Sequence, residues 1–124
     1  MWNETFGWLS VLTGLVMGLY MGMKFQREDW LGGYNAFPRR MVRLAHVALV
    51  ALGMLNILFA QSAARQRLNP TLAHVASISF MGAAVLMPIC CLWIAAHRRN
   101  FEFFAAPIGC LATGLILTIG GLLR

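Results

Sequence analysis

Charged residues are scarce in this sequence, 11% of its 124 positions, and acidic ones scarcer still, with four Asp and Glu against ten Lys and Arg. An ordinary soluble domain carries about 25% charged residues and about 45 to 50% apolar ones, whereas 60% of this chain is hydrophobic. A soluble fold of this size could not hide so much apolar surface. The four carboxylates, Glu4, Glu28, Asp29 and Glu102, lie at the ends of apolar runs or between them. A proton relay through intramembrane carboxylates therefore has no member. The three cysteines, Cys90, Cys91 and Cys110, all sit inside apolar runs and lack the spaced pattern of a disulfide framework. No phosphate-binding glycine loop, zinc-protease motif or Ser-His-Asp arrangement can be assembled, and no stretch alternates with period two as a barrel strand would.

What is present is long uncharged stretches separated by basic clusters. Apolar runs over 6–23, 44–60, 72–96 and 103–123 predict an all-α integral membrane protein, a bundle of four transmembrane helices forming one domain over 1–124. The first run has eighteen uncharged residues and reads as a retained span, since no basic start or small-residue cleavage site marks it as a leader. The second is expected to be the shortest. Pro70 suits the entry of the third helix, and Pro88 inside it is expected to introduce a kink.

The Lys and Arg residues set the expected orientation. Lys24, Arg27, Arg39, Arg40 and Arg43 lie in the first connection, Arg98 and Arg99 in the third, and only Arg65 and Arg67 in the second. Cytoplasmic loops carry the basic excess, so the first and third loops are expected inside, with both termini on the non-cytoplasmic side of a bacterial-type inner membrane. Arg39, Arg40, Arg43, Arg98 and Arg99 are expected to meet anionic lipid headgroups, and a nucleic-acid role for the net charge of +6 is set aside on that placement. The long first loop, 24–43, mixes these charges with Trp30, Tyr34 and Phe37 and should lie along the interface. Gly32 and Gly33 break it, and Pro38 argues against a helical Phe37, which predicts a short helical piece followed by a turn.

Two helix surfaces are suited to close packing. Ser10, Gly14, Gly18 and Gly22 recur every fourth residue in the first span, and Ala106, Cys110, Gly114 and Thr118 do so in the fourth. Small residues let backbones approach in lipid, inside one bundle or between subunits.

Candidate chemistry centres on His46, because ionisable groups within spans are rare and by default suggest function. His46 and His97 fall at the same expected depth and suit axial ligation of a b-type haem. His74 lies toward the other face. Met17, Met21, Cys90, Cys91 and Cys110, with His46, offer soft ligands for copper. Each has a plainer reading: a hydrogen bond to a neighbouring helix for His46, a helix C-terminal cap for His97, apolar filler for the sulfur residues. His46, Gly53 and Asn56 share a stripe expected to point into the bundle, with His46 meeting the cytoplasmic end of the third helix. The function expected from these residues is that of a small non-catalytic membrane subunit or accessory factor, partnered by other membrane subunits or by itself. A haem- or copper-binding redox protein is the alternative, and a small transporter or channel the third.

Overall fold

A computed structural model describes residues 2–98 and 100–123, so Arg99 and Arg124, used above in the charge count, lie outside the described residues. The architecture is all-α. Four helices account for most of the chain: α1 (Trp2–Lys24), α2 (Phe37–Gln66), α3 (Pro70–His97) and α4 (Ala105–Leu122), with short 3-10 turns at Trp30–Gly32 and Phe101–Phe104. All four are long and apolar enough to cross a membrane, the last together with the turn before it.

Helix boundaries follow local chemistry. α2 is the longest helix, 30 residues, and not the shortest. At 1.5 Å per residue it extends about 45 Å, beyond a hydrocarbon core of about 30 Å, so both polar ends continue helically past the apolar stretch. Phe37 and Pro38 open it, contrary to the expectation that Pro38 would keep Phe37 out of a helix. In the first turn a proline removes only an N–H that has no intrahelical partner, and it is Ala36, at ψ 143°, that stays extended. Arg67 ends α2 in the left-handed region at φ 47°, its N–H bonded to Ala63 O. Asn69 then caps α3 by accepting from the Thr71 N–H at 3.0 Å, with Pro70 behind it, so only 67–69 separates the two helices. α3 runs through Pro88 as one continuous helix and closes at Arg98, again left-handed. In the first loop Gly32 (φ 87°) and Gly33 (φ 103°) supply the reversal that other residues resist, after the expected short helical piece.

The helices are arranged as a row in chain order: α1 packs on α2, α2 on α3, α3 on α4, with only slight contact between alternate helices. The centre of the row is therefore best covered, with 39% of the apolar stretch of α3 buried against 11% in the last helix. Phe59 and Phe80, rings 4.9 Å apart, join α2 to α3 together with Ala63 and Ala76. Farther along, Ala48, Leu52 and Ala84 continue the seam. α4 seats on α3 through Gly114, where an added Cβ would come 3.1 Å from the Phe80 ring.

Candidate functional site

The polar side chains of the interior follow the α1–α2 seam. On α1 the buried residues Asn3, Gly7, Ser10, Gly14 and Met21 advance in steps of four, three, four and then seven, the repeat of helices that cross at a shallow angle. The structure therefore places Ser10, Gly14 and Gly18 against α2, but Gly22 has rotated away and has nothing within 4 Å. A stripe of spacing four drifts around a helix, and a contact seam does not. In α4 the same drift leaves Ala106 exposed, while Gly114 faces inward and Cys110 and Thr118 are half-buried.

At one end of the seam, Asn3, Asn56 and Ser77 tie three helices together. Asn3 Nδ2 donates to Asn56 Oδ1 at 2.8 Å and to the Ser77 carbonyl at 3.2 Å. The Ser77 hydroxyl donates to Asn3 Oδ1. Asn56 Nδ2 donates to the carbonyls of Leu52 (2.9 Å) and Phe80 (3.2 Å). Every carboxamide N–H of both asparagines is engaged, so the junction is a closed structural network, with no donor left for a ligand. Only Asn56 stood out beforehand as a polar residue within a span. Asn3 precedes the apolar run of α1 and Ser77 is an unremarkable hydroxyl inside α3, so neither carried a periodic signal.

Farther along the seam the Ser10 hydroxyl donates to Leu49 O at 2.8 Å, and His46 Nδ1 lies 2.8 Å from Gly14 O. A carbonyl only accepts, so Nδ1 carries the hydrogen of this bond. Gly18 makes the seat: a Cβ there would fall 2.7 Å from His46 Cε1. His46, Gly53 and Asn56 do face into the bundle, but the partner of His46 is α1, not the end of α3. That correction has a simple cause, since consecutive helices in the row share the larger seam.

The other candidate ligands are dispersed. His97, exposed as the last residue of α3, bonds through Nδ1 to Trp93 O of its own helix at 3.1 Å and stacks on the Trp93 ring, centroids 4.3 Å apart. Its position is that of a helix-end cap. His74 is exposed and lines a groove with Trp2 and Leu68. Cys90 Sγ contacts Phe103 O at 3.5 Å, Cys91 is fully buried, and Cys110 packs beside Gly82. Met21 is buried and Met17 half-buried on α1. Among the described residues, no three or more His, Cys, Asp or Glu side chains gather around a point that could hold a metal ion.

The first loop contains an arrangement that composition did not disclose. Arg39 is 2% exposed, its guanidinium within 5.0 to 5.4 Å of the ring centroids of Phe25, Trp30 and Tyr34. Its Nη2 reaches Phe25 O at 3.4 Å, and its buried Nε has no hydrogen-bond partner. Three aromatic faces supply the attraction that a carboxylate would otherwise give. Arg39 is thus enclosed by the loop and is not presented to lipid headgroups, because the loop folds back onto the first turn of α2. Arg43 lies over the Tyr34 ring at 4.6 Å, Arg98 over Phe37 at 5.6 Å, and Arg40 is exposed.

No family model, curated protein or solved structure matches the chain.

Proposed function

We propose that this protein is a small non-catalytic integral membrane subunit or accessory factor that assembles with other membrane subunits, or with its own copies, through the outer surface of α4. One observation carries the reading. α4 has small residues on two opposite sides: Gly114 inward, filled by Phe80, and Ala105, Gly109, Ala112 and Gly120 outward around Ile116. The outward glycines have nothing within 4 Å. A helix side that meets only lipid gains from large apolar residues, whereas glycines at this spacing suit the close approach of a second helix. The basic first and third connections support an orientation with those loops in the cytoplasm of a bacterial-type cell and both termini outside.

A photoreactive amino acid in place of Ile116, irradiated in native membranes, tests this. A discrete protein adduct is expected, with none from the same residue placed at Leu15 on the outer side of α1. Only lipid adducts at Ile116 would refute the assembly role.

A second reading is favoured by His46, whose Nδ1–H is anchored to a backbone carbonyl in the way that protein scaffolds orient ligating imidazoles. An absorption spectrum and metal analysis of the protein in mild detergent test it. A Soret band or bound copper that disappears in His46→Leu would establish ligation, and a colourless, metal-free protein would end it.

A further inference from the structure

The basic residues at one end of the row are not equivalent. Arg39 is sealed among its three rings, and Arg43 gives an N–H to Tyr34 O at 3.3 Å. Arg40 and Arg98 are exposed, and among the described residues neither guanidinium has a hydrogen-bond or ion-pair partner. Arg98 lies over the Phe37 ring at 5.6 Å, and Arg40 follows Phe37 by three positions in α2, so both cations neighbour one ring. The connections at this end, 24–43 and 98–102, hold seven Lys and Arg against Glu28, Asp29 and Glu102, too few carboxylates to neutralise them.

Below Arg40 the same side of α2 turns apolar. Leu44, Val47, Ala51, Met54 and Leu58 follow it in steps of four and three, and all five are exposed. At 1.5 Å per residue Arg40 stands about 6 Å beyond Leu44, and the headgroup layer is about 5 to 8 Å deep on each side of the hydrocarbon core. We propose that Arg40 and Arg98 hold the phosphate of an anionic phospholipid beside Phe37, with an acyl chain lying along Leu44, Val47 and Ala51. Guanidinium N–H groups donate to phosphate oxygens in strong charge-assisted bonds. A zwitterionic headgroup offers the same phosphate but brings its own cation to a surface already rich in positive charge, so a net anionic headgroup is selected. The apolar stripe continuous with Arg40 selects an amphiphile, because a soluble anion or an acidic protein tail would leave that stripe unused.

The test is native mass spectrometry of the full chain released from detergent containing equal amounts of phosphatidylglycerol and phosphatidylcholine. Phosphatidylglycerol is expected to be retained about fivefold to twentyfold better, the worth of one to two arginines near an anionic headgroup. Arg40→Gln and Arg98→Gln, both at exposed positions, should each lower that ratio about fivefold, whereas Arg65→Gln, exposed at the opposite end of α2, should leave it unchanged. Glycerol phosphate in excess, which has the anion without the chains, should not displace the lipid. Equal retention of the two lipids would overturn the selection by charge. An equal fall in Arg65→Gln, or none in Arg40→Gln and Arg98→Gln, would overturn the site, and displacement by glycerol phosphate would overturn the lipid as its occupant.

Discussion

Gly7 of α1 and Gly53 of α2 face each other with backbone against backbone: a Cβ on Gly7 would lie 2.6 Å from Gly53 O, and one on Gly53 2.9 Å from Gly7 O. Neither neighbour is a flexible side chain that could swing aside. Gly53→Ala is therefore expected to push the two helices apart and to cost about 2 kcal/mol in detergent unfolding, the usual scale of overpacking. Gly22→Ala, in open space, should unfold like the parent. Equal stability of the two variants would show that the seam accommodates side chains.

Gly18 and His46 share a single seat. Gly18→Ala should displace the ring from Gly14 O, and His46→Leu should lose the same hydrogen bond, each at about 1 kcal/mol. The double variant is then expected to be less destabilised than the sum of the two, as residues in contact generally are when one contact is removed twice. Strict additivity in a double-mutant cycle would separate the glycine from the histidine.

At the three-helix junction, Asn56→Leu strips partners from Asn3 and from the Phe80 carbonyl at once. A loss of about 2 kcal/mol is expected, larger than for His46→Leu, because a buried group left unpaired costs more than a missing bond. Hydrogen exchange should rise at the α1 end of the seam. A neutral effect would mean that the network contributes nothing net.

Arg39 depends on the rings around it. Trp30→Ala removes one wall, worth about 1 kcal/mol, so opening of the loop and trypsin cleavage after Arg27 should rise roughly fivefold under conditions where cleavage follows the open population. Trp30→Phe should stay close to the parent. Unchanged cleavage in Trp30→Ala would show that the loop is held by something other than the cage.

Orientation is tested with cysteines at exposed positions in or beside each connection. Single cysteines at Arg40 and Asn100 should be shielded from an impermeant thiol reagent in intact cells, and one at Gln66 should be labelled. The opposite pattern would invert the topology. Arg39 is unsuitable for this measurement because it is buried.

The number and type of the helices were legible in the sequence because long uncharged runs have few physical solutions in or out of a bilayer. Helix ends were less so: the residues of α2 outside the apolar run, 37–43 and 61–66, hold all of its arginines and glutamines, and hydropathy alone cannot distinguish a protruding helix from a loop. The inward direction of His46, Gly53 and Asn56 was readable from their spacing, but the partner of His46 depended on the order of the helices in space. Gly22 and Ala106 were misplaced by a period of four that real seams replace with alternating steps. The enclosure of Arg39 depends on Phe25, Trp30 and Tyr34 converging through a glycine-directed reversal, a three-dimensional relation that a count of basic residues reads only as surface charge.

The ordering of the helices as a row also bears on how the chain assembles. Each helix finds its main partner in its neighbour in sequence, so nearly all of the packing is local and no late, long-range closure between the first and last helices has to be awaited. As the chain emerges segment by segment, α1 and α2 can seal around Gly7 and Gly53 before α3 exists, and each later helix adds to a surface already formed. Low sequence separation of contacts favours fast folding. It also leaves one side of α4, the helix at the edge of the row, without a neighbour from the other three, with Gly109 and Gly120 in open space.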